Sequence, residues 1–376
     1  MIAKSLKGKS TVEIQLALEE AISDGFKPTL AIVFISIKQD WKAIAALLDK
    51  HNVAVFGVTS NGEFIDEDIA TGTIAILLLD IKNEDCYTCF AELNGEDDEK
   101  VTEQIAIESL KKYRQPAFLI ASSNMQTNAE DLIQGIVNTL GSSVNIFGAM
   151  AGDDLTLTEQ FVFSNKWGSN RGIVVVVFSE EKILIKGKAT SGWKAMGTEK
   201  TVTKSEGVRI YTIDNVPALD VCLKYSGLTE ETPNLVLEMM TNFPLQMQRE
   251  KGSPILRPGY LINWEDHSLT CSAKVPQGSK VRFSLPPDFD VIEKVISECQ
   301  QLKDTEMPEA DALIIFNCAG RLISLGPLIN AEIEGLKGVW SVAMAGMFSN
   351  AELGRATNGN VEMHNLTTCC VALKEK

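Results

Sequence analysis

The sequence predicts an α/β (α+β) fold of two domains, built from repeated β-α-β-β units with mixed sheets flanked by helices. One order of elements occurs three times in the 376 residues: an apolar strand, an amphipathic helix, a second strand with a glycine-bearing turn, and a closing apolar strand. The strands are unbroken apolar runs, which are typical of strands covered on both faces. The chain is also long for a single core. We expect domains at 1–216 and 217–376.

The elements of each copy follow in order along the chain. First strand, helix, second strand and closing strand are expected at 29–36, 41–49, 53–63 and 73–80 in copy one, at 117–122, 129–140, 145–154 and 172–178 in copy two, and at 312–318, 327–336, 342–352 and 366–373 in copy three. A strand, a helix and a strand in succession form a parallel crossover, whereas the closing strand can pair antiparallel. The segment between copies two and three reads as short antiparallel strands with two helices. Such a repeat is what gene duplication leaves.

Composition and charge exclude several classes of protein. Hydrophobic residues make up 45% of the chain and charged residues 23%, as in a globular protein. The net charge of −15 disfavours binding to nucleic acid or to an anionic membrane surface. No apolar stretch reaches the roughly 20 residues that cross a bilayer, and no signal peptide is visible, so we expect a cytoplasmic protein. Cys86 and Cys89 form a lone CxxC, which we interpret as strand cysteines rather than a zinc or redox site.

The turns after the second strands carry most of the candidate ligand-binding residues. Each begins with a glycine and has an acid six positions later. Ligands of parallel α/β sheets gather beyond the carboxyl ends of the strands, glycine permits close approach, and Ser, Asn and carboxylate groups supply hydrogen bonds. The alternative is that these polar residues only cap the following turn. The candidates in these turns are Ser60, Asn61, Glu63, Asp153, Asp154, Ser349, Asn350 and Glu352.

Further candidates lie outside these turns. Arg321 follows a strand of copy three and could hold a carboxylate or phosphate, or else pair with a surface acid. Trp193 could line a ligand pocket or belong to the core. Cys318 would need a nearby base such as His364 to act as a nucleophile, and a buried inert thiol is the simpler interpretation. The sequence contains no phosphate-binding glycine loop and no zinc or calcium motif.

Four stretches together resemble the FIST family of bacterial sensory proteins. They are Gly57–Glu63, Gly148–Asp154, the run from Gly192-Trp193 to Pro217-Ala218, and the set of Cys318–Arg321, Glu352 and His364-Asn365. The resemblance runs from about residue 28 to residue 373. The sequence departs from the family pattern at Val58, where Cys is common, at Asn215, where Gly is common, and at 348–351.

The resemblance implies a FIST N-like domain at 1–216, a FIST C-like domain at 217–376, and a sensory function based on a small ligand, which for the family is proposed to be amino-acid-like. Family members are fused to, or encoded beside, histidine kinases, chemoreceptors or diguanylate cyclases. We therefore expect a non-enzymatic sensor that acts through such a separate partner. One alternative is a haem-binding nitric oxide sensor with His364 or His267 as the axial ligand. A less favoured alternative is a hydrolase that uses Cys318, or Glu63 together with Asp154.

Overall fold

The computed structural model describes residues 1–93, 98–123 and 128–376. Its helices are α1 Thr11–Ile22, α2 Trp41–Lys50, α3 Asp98–Lys112, α4 Ala129–Leu140, α5 Ala218–Ser226, α6 Leu235–Thr241, α7 Phe289–Thr305, α8 Ala319–Leu325 and α9 Ile329–Trp340. Its strands are β1 Ala3–Gly8, β2 Leu30–Ser36, β3 Ala54–Ser60, β4 Glu63–Ile65, β5 Asp68–Ala70, β6 Ile74–Leu79, β7 Cys86–Glu92, β8 Pro116–Ser122, β9 Ile146–Met150, β10 Val162–Phe163, β11 Gly168–Ser169, β12 Gly172–Ser179, β13 Ile183–Thr190, β14 Ala195–Glu206, β15 Arg209–Ile213, β16 Val216–Pro217, β17 Leu245–Met247, β18 Ile255–Arg257, β19 Gly259–Asn263, β20 Ser268–Cys271, β21 Lys280–Ser284, β22 Ala312–Cys318, β23 Ala343–Ser349, β24 Ala351–Arg355, β25 Val361–His364 and β26 Thr368–Glu375.

Three six-stranded sheets share one plan. The strand order is β1-β6-β2-β3-β10-β11 in sheet I, β7-β12-β8-β9-β24-β25 in sheet II and β13-β26-β22-β23-β4-β5 in sheet III. The two strands of each crossover are parallel: β2 with β3, β8 with β9, and β22 with β23. The closing strands β6, β12 and β26 pair antiparallel with the first strand of their copy. The predicted mixed sheets and repeated β-α-β-β units are confirmed.

Each copy also gives a hairpin to another copy. The hairpin β4–β5 follows β3 but pairs with β23 of sheet III. The hairpin β10–β11 follows β9 but pairs with β3 of sheet I, and β24–β25 follows β23 but pairs with β9 of sheet II. Copy one thus gives its hairpin to copy three, copy three gives its hairpin to copy two, and copy two gives its hairpin to copy one. The sheet of each copy is therefore completed by strands of another copy. Sheets II and III therefore each contain strands from both sides of the expected boundary at residues 216 and 217, and that boundary stays a prediction.

The glycines in the repeated strands have a packing role that the sequence interpretation missed. We expected them to open a turn near a ligand, but Gly57 lies within β3 and Gly346 within β23. A Cβ added at Gly57 would lie 2.2 Å from the ring of Phe163, and one at Gly346 would lie 2.2 Å from the ring of Phe64. Both phenylalanines belong to exchanged hairpins. The absent side chain therefore makes room for the aromatic residue of the incoming hairpin.

The inner faces of sheets I, II and III meet in one central core. Ile32, Leu119 and Ile314 belong to the same buried cluster, although each comes from a different sheet. Phe34 and Phe316 meet edge to face across it, with ring centroids 5.8 Å apart. The alternate residues of the same strands pack under helices on the outer faces. Because both faces are covered, the strands carry no polar alternation.

A fourth sheet is antiparallel throughout. Sheet IV has the order β18-β17-β21-β14-β15-β20-β19, with β16 paired to β15. Its core contains Val202, Ile210 and Val281 together with residues of α5 and α6. The two helices expected in this segment are present as α5, which follows Pro217, and α7, whereas α6 was not expected.

Candidate functional site

The turns after β3, β9 and β23 meet one another. The Nδ2 of Asn61 donates to the Oδ1 of Asn350 at 2.8 Å, and the Nδ2 of Asn350 donates to the carbonyl oxygen of Ala151 at 2.7 Å. The backbone N–H of Asp153 donates to the Oδ1 of Asn61 at 3.0 Å. The structure thus brings the three predicted turns together. The side-chain amides of Asn61 and Asn350 bind each other at this meeting point.

Glu63 is enclosed by its own repeat unit. The Ser60 hydroxyl donates to its Oε1 at 2.5 Å, while the backbone N–H and hydroxyl of Thr73 donate to its Oε2 at 3.0 and 2.9 Å. All three residues are buried. Burial raises the pKa of Glu63 to about 7, although these hydrogen bonds oppose the shift.

Copy three repeats this arrangement around Glu352. Ser349 donates to its Oε1 at 2.7 Å, and the hydroxyl and backbone N–H of Thr367 donate to its Oε2 at 2.7 and 3.3 Å. Burial raises the pKa of Glu352 to about 8. The matching Ser–x–x–Glu patterns at 60–63 and 349–352 therefore each form a satisfied internal cluster. This geometry favours the capping alternative over direct ligand contact for both glutamates.

Copy two differs from the other two copies. Asp153 accepts from the backbone N–H of Thr158 at 2.5 Å and from the side chain of Gln160 at 3.1 Å. Asp154 accepts from the Ser36 hydroxyl at 2.7 Å, and the Nζ of Lys38 lies 3.1 Å from its Oδ2. In each aspartate the Oδ1 atom is buried without a hydrogen-bond partner among the described residues.

Arg321 lies in the interior of the protein. Its guanidinium pairs with both carboxylate oxygens of the buried Glu332 and also donates to the carbonyl oxygens of Ser191 and Leu366, at 2.5 and 3.2 Å. The same group lies over the ring of Trp193, 5.1 Å from its centroid. The alternative interpretation, an arginine paired with an acid, describes this contact, except that the pair is buried rather than on the surface.

A large cavity, with a volume of about 1090 Å³, involves two of the predicted ligand-binding residues. It lies between sheet IV and the ends of β9, β22 and β23, which contribute Met150, Cys318 and Ser349. Asn350 also lines it. The sequence argument expects ligands to gather at the carboxyl ends of the parallel strands, where this cavity lies.

A smaller cavity of about 350 Å³ is lined by Trp193 and His364, among others. Trp193 is buried, and its Nε1 has no partner among the described residues. The other predicted ligand-binding residues are absent from the described linings of both cavities: Ser60, Asn61, Glu63, Asp153, Asp154, Arg321 and Glu352. Their assignment as ligand contacts stays a prediction.

The sequence interpretation missed much of the large cavity. Asn128, Ser272 and Lys274 line it and were not singled out. Asn365 also lines it and appeared only within a family motif. The sequence offers one signal for Asn128, because an asparagine directly before an apolar helical segment indicates the cap at the start of a helix.

The cysteine and histidine candidates are poorly placed for catalysis or haem ligation. Cys318 is buried in the wall of the large cavity, and burial raises the pKa of its thiol well above the usual range. The Nε2 of His364 lies 3.1 Å from the carbonyl oxygen of Gly354, and burial lowers its pKa to about 4. His267 is outside both described cavity linings, and its Nδ1 lies 2.6 Å from Asp220, which raises its pKa.

These residues do not fit a haem with a histidine ligand, because His364 is held by Gly354 beside the smaller cavity and His267 lies against Asp220. In the described part of the chain, no three His, Cys, Asp or Glu residues are grouped so that they could hold a metal ion. No helix within the same ranges has the length and apolar character needed to cross a membrane.

Comparison with known proteins gives matches to two family models. The FIST N domain matches residues 29–216 and the FIST C domain matches residues 218–355. No curated protein matches the chain. A crystal structure of a cyanuric acid hydrolase from A. caulinodans aligns with 100% of this chain and 99% of its own, at a TM-score of 0.37 and 8% identity.

The two family matches confirm the resemblance inferred from the motifs. FIST domains are associated with sensory signal transduction and small-ligand binding, and the family is not known as enzymatic. The matched regions cover copies one and two, sheet IV, and copy three as far as residue 355. The chain belongs to the FIST family.

Proposed function

We propose that this protein is a cytoplasmic, non-enzymatic sensor that binds a small molecule in the large cavity. It then acts through a separate signalling partner, such as a histidine kinase, a chemoreceptor or a diguanylate cyclase. The observation that carries this proposal is the cavity of about 1090 Å³ at the ends of β9, β22 and β23. Concave, mostly apolar cavities with a few polar groups are the usual binding sites for small molecules.

The walls of the cavity provide a route from binding to signalling. One wall belongs to the repeated sheets and includes Met150 and Ser349, while the opposite wall includes Tyr260 and Cys271 of sheet IV. Residues of both family-matched regions take part. A ligand that contacts both walls stabilises one placement of sheet IV against the sheets, and a partner can recognise that placement.

Thermal unfolding in the presence of a library of small metabolites tests the proposal. A ligand at one hundred times its Kd should add about 2.7 kcal/mol of stability. Ile323 lines the cavity and is 37% exposed, so it lies at the cavity mouth. The variant Ile323→Trp places a bulky aromatic ring there. It should weaken the stabilisation by that ligand. Leu16→Trp is the matched control, because Leu16 is an exposed helical residue outside both described cavity linings.

Two results would count against a ligand site in this cavity. One is a library in which no compound stabilises the unmodified protein. The other is a ligand whose effect is the same in Ile323→Trp and in Leu16→Trp, since its binding would then not depend on the cavity mouth. A partner is sought separately, by measuring binding of purified candidate kinases, chemoreceptors and cyclases with and without the ligand.

A further inference from the structure

One buried hydrogen-bond donor in the wall of the large cavity, the Nδ2 of Asn128, has no partner among the described residues. Asn128 caps α4, and its Oδ1 accepts from the backbone N–H of Glu130 at 3.2 Å. That bond fixes the orientation of the amide and leaves Nδ2 as the free atom. This Nδ2 is buried with no acceptor among the described residues. It needs an acceptor atom from the contents of the cavity.

Asn365 supplies a second donor. It is 3% exposed, it lines the cavity, and its Oδ1 accepts from the hydroxyl of Ser272 at 2.7 Å. Its Nδ2 has no hydrogen bond to any part of the chain that the structure describes. The amides of Asn128 and Asn365 thus each leave an N–H group for a ligand, and N–H groups recognise carbonyl, carboxylate or ether oxygen.

The charge of the lining has one sign. Among the described residues that line the cavity, Lys274 is the charged one, and its Nζ lies 3.3 Å from the Oδ1 of Asp131. The lining residues that the structure describes include neither aspartate nor glutamate. An ammonium group brought into the cavity would lose water without meeting a carboxylate, which is costly.

The mouth of the cavity is apolar. Leu155 and Leu157 line it with 44% and 66% of their surface exposed, and their φ angles are 63° and 54°. Non-glycine residues rarely adopt this left-handed conformation, and clusters of such residues occur at ligand clamps. Val208, Leu237 and Ile323 extend the same exposed apolar surface. A ligand that fills this region needs an apolar body.

We infer that the ligand is amphipathic, with an apolar body at the mouth and a neutral or anionic oxygen-bearing head at Asn128 and Asn365. Medium-chain carboxylic acids and their amides have this chemistry. A free amino acid does not, because its ammonium group meets no carboxylate among the described lining residues. The inference rests on the proposed function, since it names the class of molecule for that cavity.

Four molecules with one eight-carbon skeleton and different head groups test the inference. Octanoate, octanamide, octylamine and 2-aminooctanoate are titrated into the protein by calorimetry. Octanoate or octanamide should bind at least about tenfold more tightly than octylamine and 2-aminooctanoate, the difference expected for one charged hydrogen bond. Ile323→Trp should weaken that binding, and Leu16→Trp should not.

The variant Asn128→Asp provides the sharper comparison. Aspartate keeps the cap on α4, because it is a preferred capping residue, but it replaces the free donor with a carboxylate. Octanoate should then lose about tenfold or more in affinity, while octylamine should gain. Asn128→Ser keeps the cap without a charge, so octanoate should weaken and octylamine should gain nothing.

The outcomes separate the inference from the proposed function. If octylamine or 2-aminooctanoate binds as tightly as octanoate and octanamide, and Ile323→Trp blocks that binding, the inference is overturned. This result still keeps a sensor site in the cavity. Affinities for octanoate and octylamine that are unchanged in Asn128→Asp also overturn the inference. If none of the four molecules and no member of the metabolite library binds, the proposed function fails and the inference fails with it.

Discussion

Replacing Glu352 with glutamine would remove one buried titratable group while keeping its shape. The Oε2 of Glu352 accepts two bonds from Thr367, and its Oε1 faces the hydroxyl of Ser349. The amide of glutamine can donate to the Oγ of Ser349, whose own hydroxyl lies 3.2 Å from the carbonyl oxygen of Asn317. Glutamine therefore satisfies the same partners as the protonated carboxyl group, and the fold should be kept.

The magnitude follows from the change in pKa. The value rises from 4.5 to about 8, and at about 1.4 kcal/mol per unit this is on the order of 5 kcal/mol. The folded state holds the proton more tightly than the unfolded state, so stability falls as pH rises from about 4.5 to about 8 and then levels off. The charged neighbour Arg321 opposes the increase, whereas burial keeps the nearby thiols of Cys318 and Cys369 uncharged.

Urea unfolding between pH 5 and pH 8.5 measures this effect. The free energy of unfolding of Glu352→Gln, relative to the unmodified protein, should increase with pH by several kcal/mol and reach a plateau above about pH 8. Glu231→Gln, which changes an exposed glutamate, is the control for the loss of one negative charge. Parallel pH profiles for Glu352→Gln and the unmodified protein would refute the reasoning.

Three further substitutions test the packing of the repeats, each by urea unfolding. Arg321→Met leaves Glu332 buried and unpaired, so it should cost about 3–5 kcal/mol, and a loss under about 1 kcal/mol would contradict a buried pair. Asn61→Ala removes the hydrogen bonds to the other two turns and should lower the free energy of unfolding by about 1–3 kcal/mol. An unchanged free energy of unfolding would show that the three turns are independent. Gly148→Ala should leave little folded protein, since the added Cβ would lie 1.7 Å from the carbonyl oxygen of Ile120, and a stable, soluble variant would refute that contact.

The sequence was most informative where a residue acts through its neighbours along the chain. The helix predicted at 129–140 is present with those bounds, because Asn128 caps its start and Gly141 ends it. The helix predicted from Pro327 begins instead at Ile329, since Pro327 lies in a 3₁₀ turn that leads into it. Within the turns, Ser60 with Glu63 and Ser349 with Glu352 were identified as matching pairs from spacing alone.

The tertiary structure decided what those residues contact. Arg321 could be read from the sequence as a ligand group or as an ion-pair partner, and only the approach of Glu332 on α9 assigns it to a buried pair. The large cavity joins segments more than one hundred residues apart, such as Asn128 and Asn365, which no local pattern connects.

The sequence by itself determined that this chain is a threefold repeat of strands buried on both faces, because apolar runs and their spacing are local properties of the chain. The structure alone decided that each copy lends its hairpin to another copy, as β4 does to β23. That choice depends on which strand edge each hairpin meets and on room for Phe64 against Gly346. Those are contacts between distant residues, whose register no periodicity in the sequence records.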